Sequence, residues 1–178
     1  MTFLPSRTPA VLRPAQEGEE KTAFNIIEAR VTWLEQKGIS QWPRGHYLSV
    51  FNQAYFKKAQ ENGELWLLEQ NGRAAACAVL LEQDERWGQD NTPAWYVHNL
   101  ASWPHCPGAG AQLLTLAEQE AARRGKRYLR LDCLTGARKL NAYYRTKGYL
   151  FCGYWKQPEY KGNLRQKLLL PEKDDVSI

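Results

Sequence analysis

No stretch of this chain approaches the roughly 20 consecutive apolar residues that a membrane span requires, so a helical membrane protein is excluded and no membrane is expected as a partner. The opening residues, MTFLPSRTPA, have neither the charged start nor the long apolar middle of a secretory signal. Cysteine is sparse and scattered. Cys77, Cys106, Cys133 and Cys152 form no CxxC pair, which excludes a zinc ribbon and a disulfide framework. They read as reduced thiols of a cytoplasmic protein, and no metal is expected. Blocks of five or six basic residues are missing too, so a nucleic-acid-binding arm has no support and nucleic acid is not an expected partner. Internal repeats and low-complexity tracts are likewise absent.

What is present fits one globular domain. The chain has 178 residues, 43% hydrophobic and 24% charged, enough for a proper core over residues 10–170. Residues 1–9 and 171–178 are polar or proline-punctuated and read as flexible ends. A net charge of +5 and a pI near 9.0 permit an anionic partner without naming one. The seven tryptophans are read as core or sheet-face residues.

Residues 10–15 read as a short strand ended by Pro14. Phe24, Ile27, Val31 and Leu34 share one helical stripe across residues 17–37, and a second helix is expected over 47–61 with Leu48, Phe51, Tyr55 and Ala59 inward. Asn71-Gly72 between two strand-like runs is the preferred sequence of a type I′ hairpin turn. Residues 94–102 form the next strand. Leu113, Leu114, Ala117 and Ala121 then stripe a helix over 109–124, closed by Gly125. Strand, helix and strand follow, and RQKLLL could be a last strand. This order predicts a mixed α/β (α+β) sheet of six to seven strands flanked by about four helices, with a parallel crossover at 95–132.

The junction PGAGAQLL, residues 107–114, carries the sharpest chemical signal. A strand, a glycine-rich turn and a helix start together favour phosphate, because bare N–H groups and the helix dipole point the same way. One reading is a dinucleotide-binding unit with Asp132 on the ribose. Against it, the third fingerprint glycine would fall on Leu113, whose bulk blocks close helix–strand packing.

Taken together, VLRPA, then VHNLASWPHCPGAGAQLL, then LRLDCLTGARKLNAYYRTKGY resemble the GNAT superfamily of acyl-CoA-dependent N-acyltransferases over residues 10–170. The family's Q/R-x-x-G-x-G/A pattern falls on His105, Gly108 and Gly110. Its aromatic–Tyr–x–x–x–Gly–aromatic motif falls on Tyr143, Tyr144, Gly148 and Tyr149. The resemblance implies a GNAT-like fold and acetyl-CoA as co-substrate. It implies that His105, Gly108, Ala109, Gly110, Ala111 and Gln112 hold the CoA pyrophosphate. The backbone of Leu100, Ala101 and Ser102, beside a strand bulge, would meet the pantetheine and supply the oxyanion donor. His105 stands where Gln or Arg is usual. The pantetheine-contacting Asn is Ala137 here, and Asn141 lies one turn later on the same face, ready to substitute.

Acyl transfer to an amine needs a base for the ammonium proton, a donor for the oxyanion and an acid for the leaving thiolate. The resemblance makes Tyr144 the acid or hydrogen-bond donor. The Glu many relatives carry on the fourth strand is missing, but His98 lies two residues before Leu100, placed like the strand histidine of the arylalkylamine N-acetyltransferases. An imidazole suits proton transfer near neutral pH. Asp132 and His46 are the alternatives. Trp33, Trp42 and Tyr47, around the loop after the first helix, would line the acceptor site.

The leading reading is an N-acetyltransferase acting on a small-molecule or peptide primary amine in a ternary complex; a homodimer is compatible with it. Two others stay open: a catalytically silent CoA-binding regulator, and a GNAT acyltransferase directed at aminoacyl-tRNA.

Overall fold

The computed structural model describes residues 9–169. Most of the two expected tails, and Leu170 of RQKLLL, lie outside that range. The elements in order are β1 (Val11–Pro14), α1 (Glu20–Gln36), α2 (Arg44–Val50), α3 (Gln53–Glu61), β2 (Leu65–Gln70), β3 (Arg73–Leu81), β4 (Ala94–Ser102), α4 (Ala109–Arg123), β5 (Tyr128–Leu134), α5 (Arg138–Thr146), β6 (Leu150–Gln157) and β7 (Tyr160–Leu168). A 3₁₀ turn, Glu85–Trp87, interrupts the β3–β4 connection. The strands form a mixed sheet in the order β1-β2-β3-β4-β5-β7-β6. The parallel pair is β4–β5, as the crossover at 95–132 requires.

The chain divides into two compact units. The first takes the chain up to Val79 together with Asn99–Leu114; the second takes Leu80–His98 and the chain from Thr115 onward.

In the first unit β1, β2 and β3 run antiparallel. The β2–β3 turn is the expected two-residue hairpin: Asn71 and Gly72 sit at φ 51° and 75°, the left-handed pair a type I′ turn demands. Helix α1 buries Ala23, Ile26, Ile27, Val31 and Leu34; Phe24 of the expected stripe is half-buried, its ring tilted against Phe56 at 6.4 Å. The single helix expected over 47–61 is two. Asn52 breaks it by turning extended and accepting the Tyr55 N–H on its side-chain oxygen at 3.0 Å. An Asn at that point competes with the helical backbone and caps a new helix instead. The inward residues accordingly become Tyr47, Phe56 and Ala59, in place of the Leu48–Phe51–Tyr55 stripe.

In the second unit β5 pairs with β7 along its whole length, and β6 pairs only with β7, leaving β6 at the sheet edge. The last strand starts at Tyr160, five residues before RQKLLL, because a tight turn at Pro158-Glu159 returns the chain directly from β6. Arg130 is 3% exposed, its guanidinium 4.5 Å from the Trp87 ring centre and hydrogen-bonded to the Tyr96 hydroxyl at 3.0 Å. A buried guanidinium is tolerated only with such partners.

Candidate active site

The end of β4 and the turn into α4 belong to the first unit. The N–H groups of a helix's first turn have in general no partner within the helix. The Ala109 N–H is taken by Cys106 O at 3.2 Å, and the first helical bond runs from Gln112 N to Gly108 O at 3.0 Å. Gly108 lies at φ 82°, where an L side chain is strained. Gly110 has ordinary helical φ, and a Cβ there would meet only Ser102 Oγ, at 3.9 Å. The glycines therefore leave open space over the helix start, and these residues fit a pyrophosphate. His105 is exposed, with its ring stacked on Trp103 at 5.6 Å. Gln112 Oε1 accepts from Gln70 Nε2 at 2.6 Å.

Two anchors that sequence reasoning missed hold this segment. Arg30 of α1 donates to the Ser102 carbonyl at 2.8 and 3.1 Å and to Ser102 Oγ at 2.9 Å. Burial lowers the pKa of its guanidinium, which stays charged in a protein nonetheless. Trp103 continues toward β3, its N–H donating to Ala75 O and its indole to Ala74 O. So the Ser102 carbonyl is committed to Arg30, and the site's geometry at this point is set from α1.

The second anchor is at Asn99, one residue before Leu100. It is a non-glycine residue at φ 51°, in the left-handed region that L residues seldom adopt. Its buried amide donates to the Tyr47 hydroxyl at 2.8 Å and accepts from the Tyr55 hydroxyl at 2.9 Å. Tyr47 in turn stacks on Trp42 at 4.6 Å with a 10° interplanar angle, and packs against Phe51 at 4.7 Å. The structure thus joins Trp42 and Tyr47, while Trp33 is engaged by the cations of Arg30 and Lys37 above its ring. His46 is exposed. Asn99→Ala removes two hydrogen bonds and forces alanine into a left-handed backbone, so it should cost about 2–4 kcal/mol. Asn99→Gly should recover the backbone part. Urea unfolding of both variants checks this; equal midpoints for wild type and Asn99→Ala would show that neither the bonds nor the backbone strain matters.

The second unit holds the titratable candidates. His98 Nε2 is 2.8 Å from Asp84 Oδ2, with 11% of the histidine side chain and 7% of the aspartate side chain exposed. Asp84 Oδ1 accepts the Arg86 N–H at 3.0 Å, capping the 3₁₀ turn. Burial pushes the Asp84 pKa up, but the hydrogen bonds from His98 and the Arg86 backbone, with the nearby positive charges, hold it below the usual range. Arg86 reaches on to Asp132 Oδ1 at 2.5 Å, and Tyr160 OH donates to Asp132 Oδ2 at 2.5 Å. Gly162 lies beneath: a Cβ there would sit 2.8 Å from both Asp132 Oδ2 and the Tyr160 ring. Asp132 is thus held at both carboxylate oxygens, while Leu131 and Cys133 point into the core. As a base it would first have to release Arg86.

Asn141 is also fully engaged. Its Nδ2 donates to Leu134 O and Ala137 O, both at 3.0 Å. Its Oδ1 accepts from Asn163 at 2.6 Å and from Arg165 at 3.1 and 3.2 Å. The amide is committed to anchoring α5, so a pantetheine contact would have to break this network. Tyr144 is 8% exposed on α5, edge-on to Tyr143 at 5.4 Å and to Tyr149 at 5.8 Å. Burial first, then the neighbouring Cys133, Tyr143 and Asp132, raise the pKa of its phenol.

Of the missed residues, Asp84 has a local signal as an Asx cap two residues before Arg86. Nothing in the spacing shows that it meets His98, fourteen residues later.

Comparisons with known proteins agree with this architecture. The model of the acetyltransferase (GNAT) family matches residues 27–149. An uncharacterized N-acetyltransferase of Bacillus subtilis (strain 168), YesJ, is 26% identical over 151 residues, covering 79% of this chain and 81% of that protein. A GNAT-family acetyltransferase from Listeria monocytogenes 4b F2365 superposes with a TM-score of 0.75 at 23% identity, over 92% of this chain and 100% of that one. The N-acetylglutamate synthase of Neisseria gonorrhoeae, solved with coenzyme A and N-acetyl-glutamate, gives a TM-score of 0.64 at 18% identity, over 92% of this chain and 36% of that one. The chain belongs to the GNAT family and is an acyl-CoA-dependent acetyltransferase.

Proposed function

We propose that the chain transfers the acetyl group of acetyl-CoA to a primary amine by direct attack in a ternary complex. The observation that carries this reading is the β4–α4 junction, where Gly108 and Gly110 leave the start of α4 open to an anion while Arg30 fixes the strand end. The neighbour solved with coenzyme A on the same fold supports the cofactor. Residues 100–102 and 108–112, with His105 beside them, hold the co-substrate. Acetyl-CoA supplies the activated acyl group; this chain's residues orient it and move protons. His98 accepts the proton of the amine, directly or through water, and Tyr144 offers its hydroxyl to the departing sulfur. Trp42, Tyr47 and Phe51 give the acceptor an aromatic wall, which suits a small-molecule or peptide amine with an apolar body.

The test combines calorimetry with CoA and thiol release from acetyl-CoA using 2-phenylethylamine, spermidine, glutamate and an alanyl peptide as acceptors. CoA binding with turnover of at least one amine is expected; binding with no turnover of any would favour a silent CoA-binding regulator. Gly110→Glu sharpens the binding half. Its Cβ fits without a clash, so the domain should fold. Its carboxylate would lie beside a doubly charged pyrophosphate, at about 1 kcal/mol per charge pair at 4 Å in water and several times that at a protein surface. CoA affinity should fall about tenfold or more. Unchanged affinity would place the pyrophosphate elsewhere.

A further inference from the structure

His98 is not a lone imidazole, and its partner decides which of its nitrogens is basic. The Nε2 atom lies 2.8 Å from Asp84 Oδ2, with both side chains about nine-tenths buried. An ionised carboxylate only accepts, so Nε2 must carry the hydrogen and Nδ1 is left with its lone pair. The carboxylate is itself held. Its other oxygen accepts the Arg86 N–H at 3.0 Å, which fixes the Asp84 rotamer to the 3₁₀ turn. The Arg86 side chain runs from 4.0 Å off Asp84 Oδ1 to Asp132, and Tyr160 closes the far side of Asp132. Asp84, Arg86, Asp132 and Tyr160 are therefore the charged and titratable groups in the hydrogen-bonded chain that ends on His98. The depressed pKa of Asp84 keeps it ionised at neutral pH despite burial.

We propose that Asp84 is the positioning residue of His98, fixing the Nε2–H tautomer so that Nδ1 is the nitrogen that takes the acceptor's proton. This rests on the reading of His98 as the base. The proton that leaves the amine as its new bond to the acetyl carbon forms goes to Nδ1. The resulting imidazolium keeps its Nε2–H on the Asp84 carboxylate, which is not itself protonated. The arrangement follows the general logic of an imidazole oriented by a buried carboxylate.

The first measurement needs no variant of this pair. With ¹⁵N-labelled histidine only three imidazoles give signals, those of His46, His98 and His105. The exposed His46 and His105 are assigned by substitution. In its neutral form His98 should show a protonated Nε2 and an unprotonated Nδ1; the opposite tautomer overturns the proposal. The second measurement is kinetic, with acetyl-CoA and 2-phenylethylamine. Asp84→Asn should lower kcat about 100-fold or more with little change in KM for acetyl-CoA, and should disturb the His98 tautomer. Asp84→Asn combined with His98→Gln should be no slower than His98→Gln alone, because a residue acting through His98 has nothing to position once it is gone. Losses that multiply in the double variant overturn the proposal. The base reading fails separately: a normal rate in His98→Gln removes the reaction role, whatever tautomer the spectra show.

Discussion

His98→Gln is expected to lower kcat/KM about 100- to 10,000-fold, the range that removing a general base usually covers. Glutamine keeps much of the volume and can still hydrogen-bond Asp84, so the buried carboxylate need not be left unpartnered. What it cannot do is take up a proton near neutral pH. The variant should therefore also lose any rising limb of kcat/KM with pH that belongs to the enzyme. An acceptor largely unprotonated across that range is required, so that the substrate's own ionisation does not imitate the limb. The assignment has a competitor in Asp132, and the structure weighs against it. Both Asp132 oxygens are held, one by Arg86 and one by Tyr160, and a carboxylate in an ion pair is a poor proton acceptor. Retention of rate and limb in His98→Gln would make His98 structural and turn attention to Asp132.

Much of the fold was legible because its signals are local. The Asn71-Gly72 turn, the α1 stripe and the small-and-apolar face of α4 each announce themselves within a few residues, and all three form as expected. The break between α2 and α3 was also written locally, in Asn52, but the apolar spacing on either side reads smoothly through it. Side-chain capping there outcompeted the helical period. The proposed site's glycines and Tyr144 motif could be picked out because each is a pattern over a few neighbouring residues. Its side-chain partners were not. Arg30 meets Ser102 across 72 positions, Tyr55 meets Asn99 across 44, and Asp84 meets His98 across 14. Such pairings are set by strand order and register, which a single sequence does not state. The same holds for Asn141: its helical face was readable, but its hydrogen bonds to Asn163 and Arg165 on β7 were not.

Tyr144→Phe should reduce kcat about 100- to 1,000-fold while KM for acetyl-CoA changes little, the loss expected when one donor to a developing anion is removed. The substitution deletes only a hydroxyl. The ring contacts with Tyr143 and Tyr149 remain, so α5 should stay packed. The raised phenol pKa shapes what the hydroxyl can do. A thiol ordinarily loses its proton near pH 8.5 and a phenol near 10, so full transfer from tyrosine to a thiolate is already uphill by about 2 kcal/mol. Burial widens that gap, because ionising Tyr144 would leave a phenolate among Cys133, Tyr143 and Asp132. The same burial keeps the hydroxyl protonated at every working pH and strengthens its hydrogen bond to a charge that appears nearby. Tyr144 is thus better suited to stabilise the departing sulfur by hydrogen bonding than to hand over its proton, with solvent completing protonation after release. That distinction is measurable. A hydrogen-bond donor predicts a kcat that shows no tyrosine ionisation limb on the alkaline side up to about pH 10. It also predicts a smaller loss in Tyr144→Phe when the leaving thiol is made more acidic, because a less basic sulfur needs the donor less. A loss confined to KM would make Tyr144 a clamp on the co-substrate and leave the thiolate without a donor from this chain.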